Sequence, residues 1–177
     1  MESLNDLVSS QKSGLQKLWE CIPGIKGYEQ KEDRRDTDKI VRETIAQRFS
    51  EQWNRICAVE KNLAKGIGLA YLSDLESAAM KVRQFADRIK TAAYGYAGLT
   101  DAVKVDDIAL QQMYDYDVYL FKLTDTLSAK VDALEDAVAS GSKEDIDAAI
   151  RNLDQVAQDS LTALNRRKDV VTGTQNL

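Results

Sequence analysis

Apolar residues recur along this chain at helical spacing, in five segments separated by glycine and proline. In the first, Leu4, Leu7, Val8, Leu15, Leu18 and Ile22 share one face from about Ser3 to Glu20, the pattern of an amphipathic helix. Pro23 and Gly24 stop it. The second segment, from about Tyr28 to Lys65, opens almost wholly charged. It then carries Val41, Ile45, Phe49, Gln52, Ile56, Val59 and Leu63. Those steps of three and four form a heptad-like seam. A helix of that length would measure about 55 Å, which points to an elongated bundle.

The third segment is expected to begin near Ser73, where Ser73-Asp74-Leu75-Glu76 fits a capping box. Leu75, Ala79, Val82, Phe85, Ala86, Ile89 and Ala93 form its stripe, and Gly95 ends it. Small residues at Ala78, Ala79, Ala86, Ala92 and Ala93 let its neighbours approach closely. The fourth, about Asp106 to Ala139, repeats Met113, Leu120, Leu127 and Leu134 at sevens, with Tyr116, Leu123, Val131 and Val138 between them. Gly141 is placed to close it in a left-handed cap. The fifth starts at Ser142 with a weaker capping box ending in Asp145. Ile146, Ile150, Leu153, Ala157, Leu161 and Leu164 follow.

No segment alternates with period two over any length, so the fold class is all-α. Short connections make an elongated up-down antiparallel helical bundle of four long helices, with an N-terminal amphipathic helix as an appendage. The division is 1–22 for that helix, 28–171 for the bundle and 172–177 for a flexible tail. The second and fourth helices outlast the third. A strip of seam would then stay uncovered, which suits self-association.

Composition narrows the chemistry. The 177 residues contain nine glycines, one proline and no histidine, so one domain is expected. The commonest general base and metal ligand is missing. The net charge of -5 is unevenly spread. Residues 1–100 hold 16 Lys+Arg against 14 Asp+Glu, whereas 101–165 hold 5 against 14. An acidic half is a poor surface for nucleic acid, whose phosphates are met by cations. It suits solubility or a basic partner. Cys21 and Cys57 show no paired spacing, so reduced thiols are expected. The start of the chain has no signal-peptide pattern, and no apolar run is long enough to span a bilayer. The expected compartment is cytoplasmic.

The least ordinary stretch is 23–39. From Lys26 to Glu43 it holds six basic and six acidic side chains. Lys31, Arg35, Lys39 and Arg42 fall on one stripe, and Glu29, Glu32, Asp33 and Asp36 on an adjacent one. Glu32–Arg35, Asp36–Lys39 and Asp38–Arg42 stand at helical pairing distance, each contributing about 0.2–0.5 kcal/mol on an exposed helix. One reading is a solvated helix laced by its own ion pairs. The other is a docking face for a partner or an anionic phosphate, with Trp19, Lys31, Arg34, Arg35, Lys39 and Arg42 as its contacts. Arg34 and Arg35 would anchor it, because guanidinium forks match carboxylate and phosphate. Pro23-Gly24, Gly27-Tyr28, Lys31-Glu32 and Arg34-Arg35 with Asp36 together resemble the N-terminal signature of uncharacterised bacterial helical proteins. The resemblance spans about 20 residues, Trp19 to Lys39. It implies a bacterial helical protein and carries no activity with it.

Known site chemistries find little footing. A di-iron bundle needs Glu-x-x-His pairs, and this chain has no histidine. Asp115-Tyr116-Asp117 lacks the glycine and closing glutamate of a calcium loop. Gly66-Ile67-Gly68 lacks the remainder of a phosphate loop, and neither cysteine can have a histidine partner. No catalytic residue, metal or cofactor is expected. Tyr114, Tyr116, Tyr119 and Phe121 are read as half-buried packing with wet hydroxyls. The sequence therefore reads as a non-enzymatic scaffold or adaptor acting through protein contacts or self-association. The alternative is a peripheral membrane-surface or lipid-binding protein that uses the N-terminal helix and the basic stripe.

Overall fold

The computed structural model describes residues 21–22, 31–65, 68–92 and 107–172, with side chains placed except at 31–37, 107–111 and 168–172. Four helices account for nearly all of this: α1 (Lys31–Ala64), α2 (Leu69–Thr91), α3 (Asp107–Ser140) and α4 (Lys143–Thr172). They are the second to fifth segments of the sequence pattern, and no strand occurs among the described residues. The expected N-terminal helix and tail lie outside the described residues, except for Cys21, Ile22 and Thr172, which is the last residue of α4 rather than part of a tail. At 34 residues each, α1 and α3 run about 51 Å at 1.5 Å per residue, so the bundle is elongated.

Each helix packs on two others. α1 lies against α2 and α3, and α4 lies against α2 and α3, which leaves α2–α3 and α1–α4 on the diagonals. Successive helices run up and down, as expected. Side-by-side pairs are of two kinds. Within the hairpins α1–α2 and α3–α4 the partners are antiparallel. Between the hairpins they are parallel. Arg48 meets Asp125 and, further along, Arg55 meets Asp132, so α1 and α3 advance together. Lys81 to Asp154 and Arg88 to Asn165 show the same for α2 and α4. Consecutive helices α2 and α3 thus face each other only through the core.

The seams read from the sequence form that core. Ile45, Phe49 and Ile56 of α1, Leu75, Val82, Phe85 and Ile89 of α2, Leu120, Leu127 and Leu134 of α3, and Leu153 and Ala157 of α4 are fully enclosed. Phe49 and Phe85 stack with centroids 3.9 Å apart, linking the first hairpin at mid-height. Gln52, which the pattern placed on the seam, is half-buried and accepts from Arg55. Part of the strip expected to stay open past the end of α2 is covered, and its side chains at 31–37 and 107–111 lie outside the described set. Val41, Asp38, Asp117 and Arg167 are all buried there, and Ile22 joins the core.

The turns at the opposite end are short and use glycine for two different reasons. Gly141 closes α3 at φ 72°, a backbone that only glycine adopts freely. Its amide bonds the Ala137 and Val138 carbonyls, and the next residue, Ser142, accepts the Asp145 amide at 3.3 Å. The predicted cap of the last helix therefore forms. The one predicted at Ser73 does not. α2 begins four residues earlier, at Leu69, with Gly68 as its N-cap and no side-chain cap. Gly68 lies so close to α1 that a Cβ there would sit 2.6 Å from Leu63 Cβ and 2.8 Å from Leu63 O. Close approach of the two helices, rather than a serine, sets where α2 starts.

Candidate functional site

At the far end from these turns, four charged side chains meet inside the bundle. Asp38 and Arg42 sit one turn apart on α1, and the Arg42 Nε donates to Asp38 Oδ2 at 2.8 Å. Arg167 of α4 donates from Nε to Asp117 Oδ1 of α3 at 2.7 Å, and from Nη2 to Asp38 Oδ1 at 2.7 Å. Its Nη2 also reaches Asp117 Oδ2 at 3.3 Å. Arg42 turns its Nη1 to the carbonyls of Ala92, at 2.9 Å, and Lys90, at 3.4 Å. These close α2, whose last carbonyls have no helical donors of their own. A cation there also meets the negative end of the helix dipole. All four helices are thus tied at one level, and the α1–α4 diagonal is bridged by Arg167 to Asp38.

The side chains of Asp38, Asp117 and Arg167 are 2%, 2% and 4% exposed, so water does not share the bonding. The formal charges cancel, two against two. Burial pushes the Asp117 carboxyl above its usual range, against the pull of Arg167. Burial also works against the Arg167 guanidinium, but Asp117 and Asp38 outweigh it and hold it above its ordinary value. Such a cluster adds little net stability over an apolar replacement, whereas losing one member leaves a buried charge. Its chemistry is saturated, because both carboxylates are taken up by guanidinium donors. Among the described residues no group of three or more Cys, Asp and Glu could hold a metal ion.

No protein-family model, curated protein or solved structure matches this chain. What its residues do must be read from their placement.

The expected docking stripe is divided by the fold. Trp19 lies outside the described residues. Lys31, Arg34 and Arg35 lie on the first turns of α1, with side chains outside the described set. Lys39 is exposed, 4.0 Å from Glu43. Arg42 is not part of any surface: it is 8% exposed. The reason is that α2 ends beside it and presents bare carbonyls. The expected Asp38–Arg42 pair does form, but as a buried contact rather than a solvated one.

Asp117 and Arg167 were missed as a pair, although a signal existed. Asp117, Leu120, Thr124 and Leu127 continue the three-four spacing of α3 on its buried side. The heptad pattern places Tyr116 there instead. Tyr116 is half-buried and donates to the Ala163 carbonyl at 2.8 Å. Arg167 follows Leu164 by three and so stays on the α4 seam. Polar residues in seam register were the visible sign.

At the turn end, Cys57 and Glu60 form a smaller polar group. Burial and the neighbouring Glu60 push the Cys57 thiol up, away from reactive thiolate. Burial and Glu76 push the Glu60 carboxyl up, and its Oε1 is enclosed without a hydrogen-bond partner.

Proposed function

We propose that this chain is a non-enzymatic scaffold or adaptor that binds a cationic protein partner. The observation that supports it is the distribution of acid over α3 and α4. Asp125, Asp132, Glu135 and Asp154 are used up against Arg48, Arg55 and Lys81 of the other hairpin. Asp136, Glu144, Asp145 and Asp147 remain exposed around the Gly141 turn, beside Lys143, with Lys61 and Lys65 exposed at the same end of the bundle on the close of α1. A rigid, predominantly acidic end on two long helices suits recognition of a Lys- or Arg-rich segment, with electrostatics supplying selectivity and encounter rate. The lipid reading loses one of its contacts, because Arg42 faces inward.

The test compares the wild-type chain with D136K/E144K/D147K in affinity capture from cell extract at low and high salt. A basic protein held by the wild type, released by salt and missed by the variant is the expected result. Equal capture by both chains overturns the proposal. Co-sedimentation with anionic vesicles that vanishes when residues 1–27 are deleted puts the lipid reading in its place.

A further inference from the structure

The apolar seams do not by themselves choose which helices lie side by side. Hydrophobic attraction follows buried area and has no direction. The stripes of α3 and α4 are both aliphatic, with Leu127, Val131 and Leu134 on one and Ile146, Ile150 and Leu153 on the other. Either helix could bury its stripe against α1, and the remaining one against α2. The alternative is the arrangement in which consecutive helices are all lateral neighbours.

The polar contacts across the two lateral faces are not interchangeable in this way. Each uses a cation from α1–α2 and an acceptor from α3–α4. Arg55 Nη2 lies 2.6 Å from both Asp132 Oδ1 and Glu135 Oε2, and Arg48 Nη1 lies 3.3 Å from Asp125 Oδ1. On the other face Lys81 Nζ reaches both oxygens of Asp154, at 2.7 and 2.8 Å, and Arg88 donates to Asn165 Oδ1 at 2.7 Å. Arg55 is held above its ordinary pKa by the hydrogen bonds it donates to Glu135 and Asp132. The residue numbers of Asp117 and Arg167, which meet across the α3–α4 hairpin, place Lys130 at the height of Asp154. Putting α2 beside α3 would therefore bring Lys81 level with a like charge.

We infer that charge complementarity between the two hairpins, rather than their apolar seams, selects α1 beside α3 and α2 beside α4. The unequal charge of the two halves of the sequence is then partly an internal address. The N-terminal hairpin is the basic partner of the acidic one.

The experiment measures the α2–α3 separation by pulsed electron resonance. Nitroxides are placed by Gln84→Cys and Thr126→Cys, both exposed positions, in a chain carrying Cys21→Ser and Cys57→Ser. Side-by-side axes lie about 10 Å apart and diagonal ones about 14 Å. The unreversed chain should give the single long distance. R48E/R55E/K81E should shorten or broaden it, and D125K/D132K/E135K/D154K should do the same. Combining both sets should restore the long distance. The inference is overturned if either reversed chain folds with the unchanged distance, or if the combined chain fails to recover it. Should a single reversal unfold, the combined chain decides: native helicity with the long distance supports the inference, and its absence refutes it.

Discussion

The two ends of the bundle solve the same problem differently. At the turn end, Val59, Leu63, Leu75, Leu134 and Ile146 close an apolar core, and the helices are joined by turns of a few residues at Gly68 and Gly141. At the other end residues 92–106 separate α2 from α3, and Asp38, Arg42, Asp117 and Arg167 meet in the core. Short covalent turns hold neighbouring helices in place without help. Long connections leave many arrangements open, and hydrogen-bonded charges, which tolerate only one geometry, exclude most of them. The buried hydrogen-bonded charges are found where the chain imposes least.

This contrast can be broken most severely at Arg167. R167M leaves Asp38 and Asp117 buried without their shared donor and should lower unfolding free energy by about 3–5 kcal/mol. Urea denaturation measures it. D38L/R42M/D117L/R167M should recover most of that loss, yet with poorer amide dispersion in NMR spectra. A fully dispersed spectrum would show that the charges do not specify this end.

The turn end should respond to volume instead. L134A removes a side chain that is 0% exposed and should lower stability by about 2–5 kcal/mol. The loss should be the same at low and high salt. G68A forces a Cβ against Leu63 and should cost about 1–3 kcal/mol through overpacking, seen as a lower urea midpoint with unchanged slope.

The smallest effect belongs to Glu60. Its folded pKa is raised above its ordinary value of 4.5 by burial and by Glu76. The stability it contributes is therefore present below that value and lost as pH rises through the folded pKa. E60Q should match or exceed the wild type at pH 7, and the gap should close in acid. Stability curves at several pH values would reveal it. A variant less stable at neutral pH would show that the carboxylate is favourably placed.

Much of this fold was legible in the sequence because helix periodicity is a local property. Leu75, Val82, Phe85 and Ile89 announce the buried face of α2 from within that helix, and Gly141-Ser142 announces the break after α3. The failures were also local in origin. Ser73 has the residues of a cap but no helix end to serve, because Gly68 sets the start earlier. Arg42 looked like a surface cation because nothing in its own helix reveals that another helix ends beside it.

From sequence came the all-α class, the four stripes, the turn at Gly141 and the imbalance of charge between the halves. Only the tertiary structure decided that α2 and α3 face each other across the core, that Arg42 turns inward, and that Arg167 meets Asp38 at a separation of 129 positions. The physical reason is that apolar spacing says which side of a helix is buried but not against which partner. That choice rests on directional contacts between residues far apart in the chain.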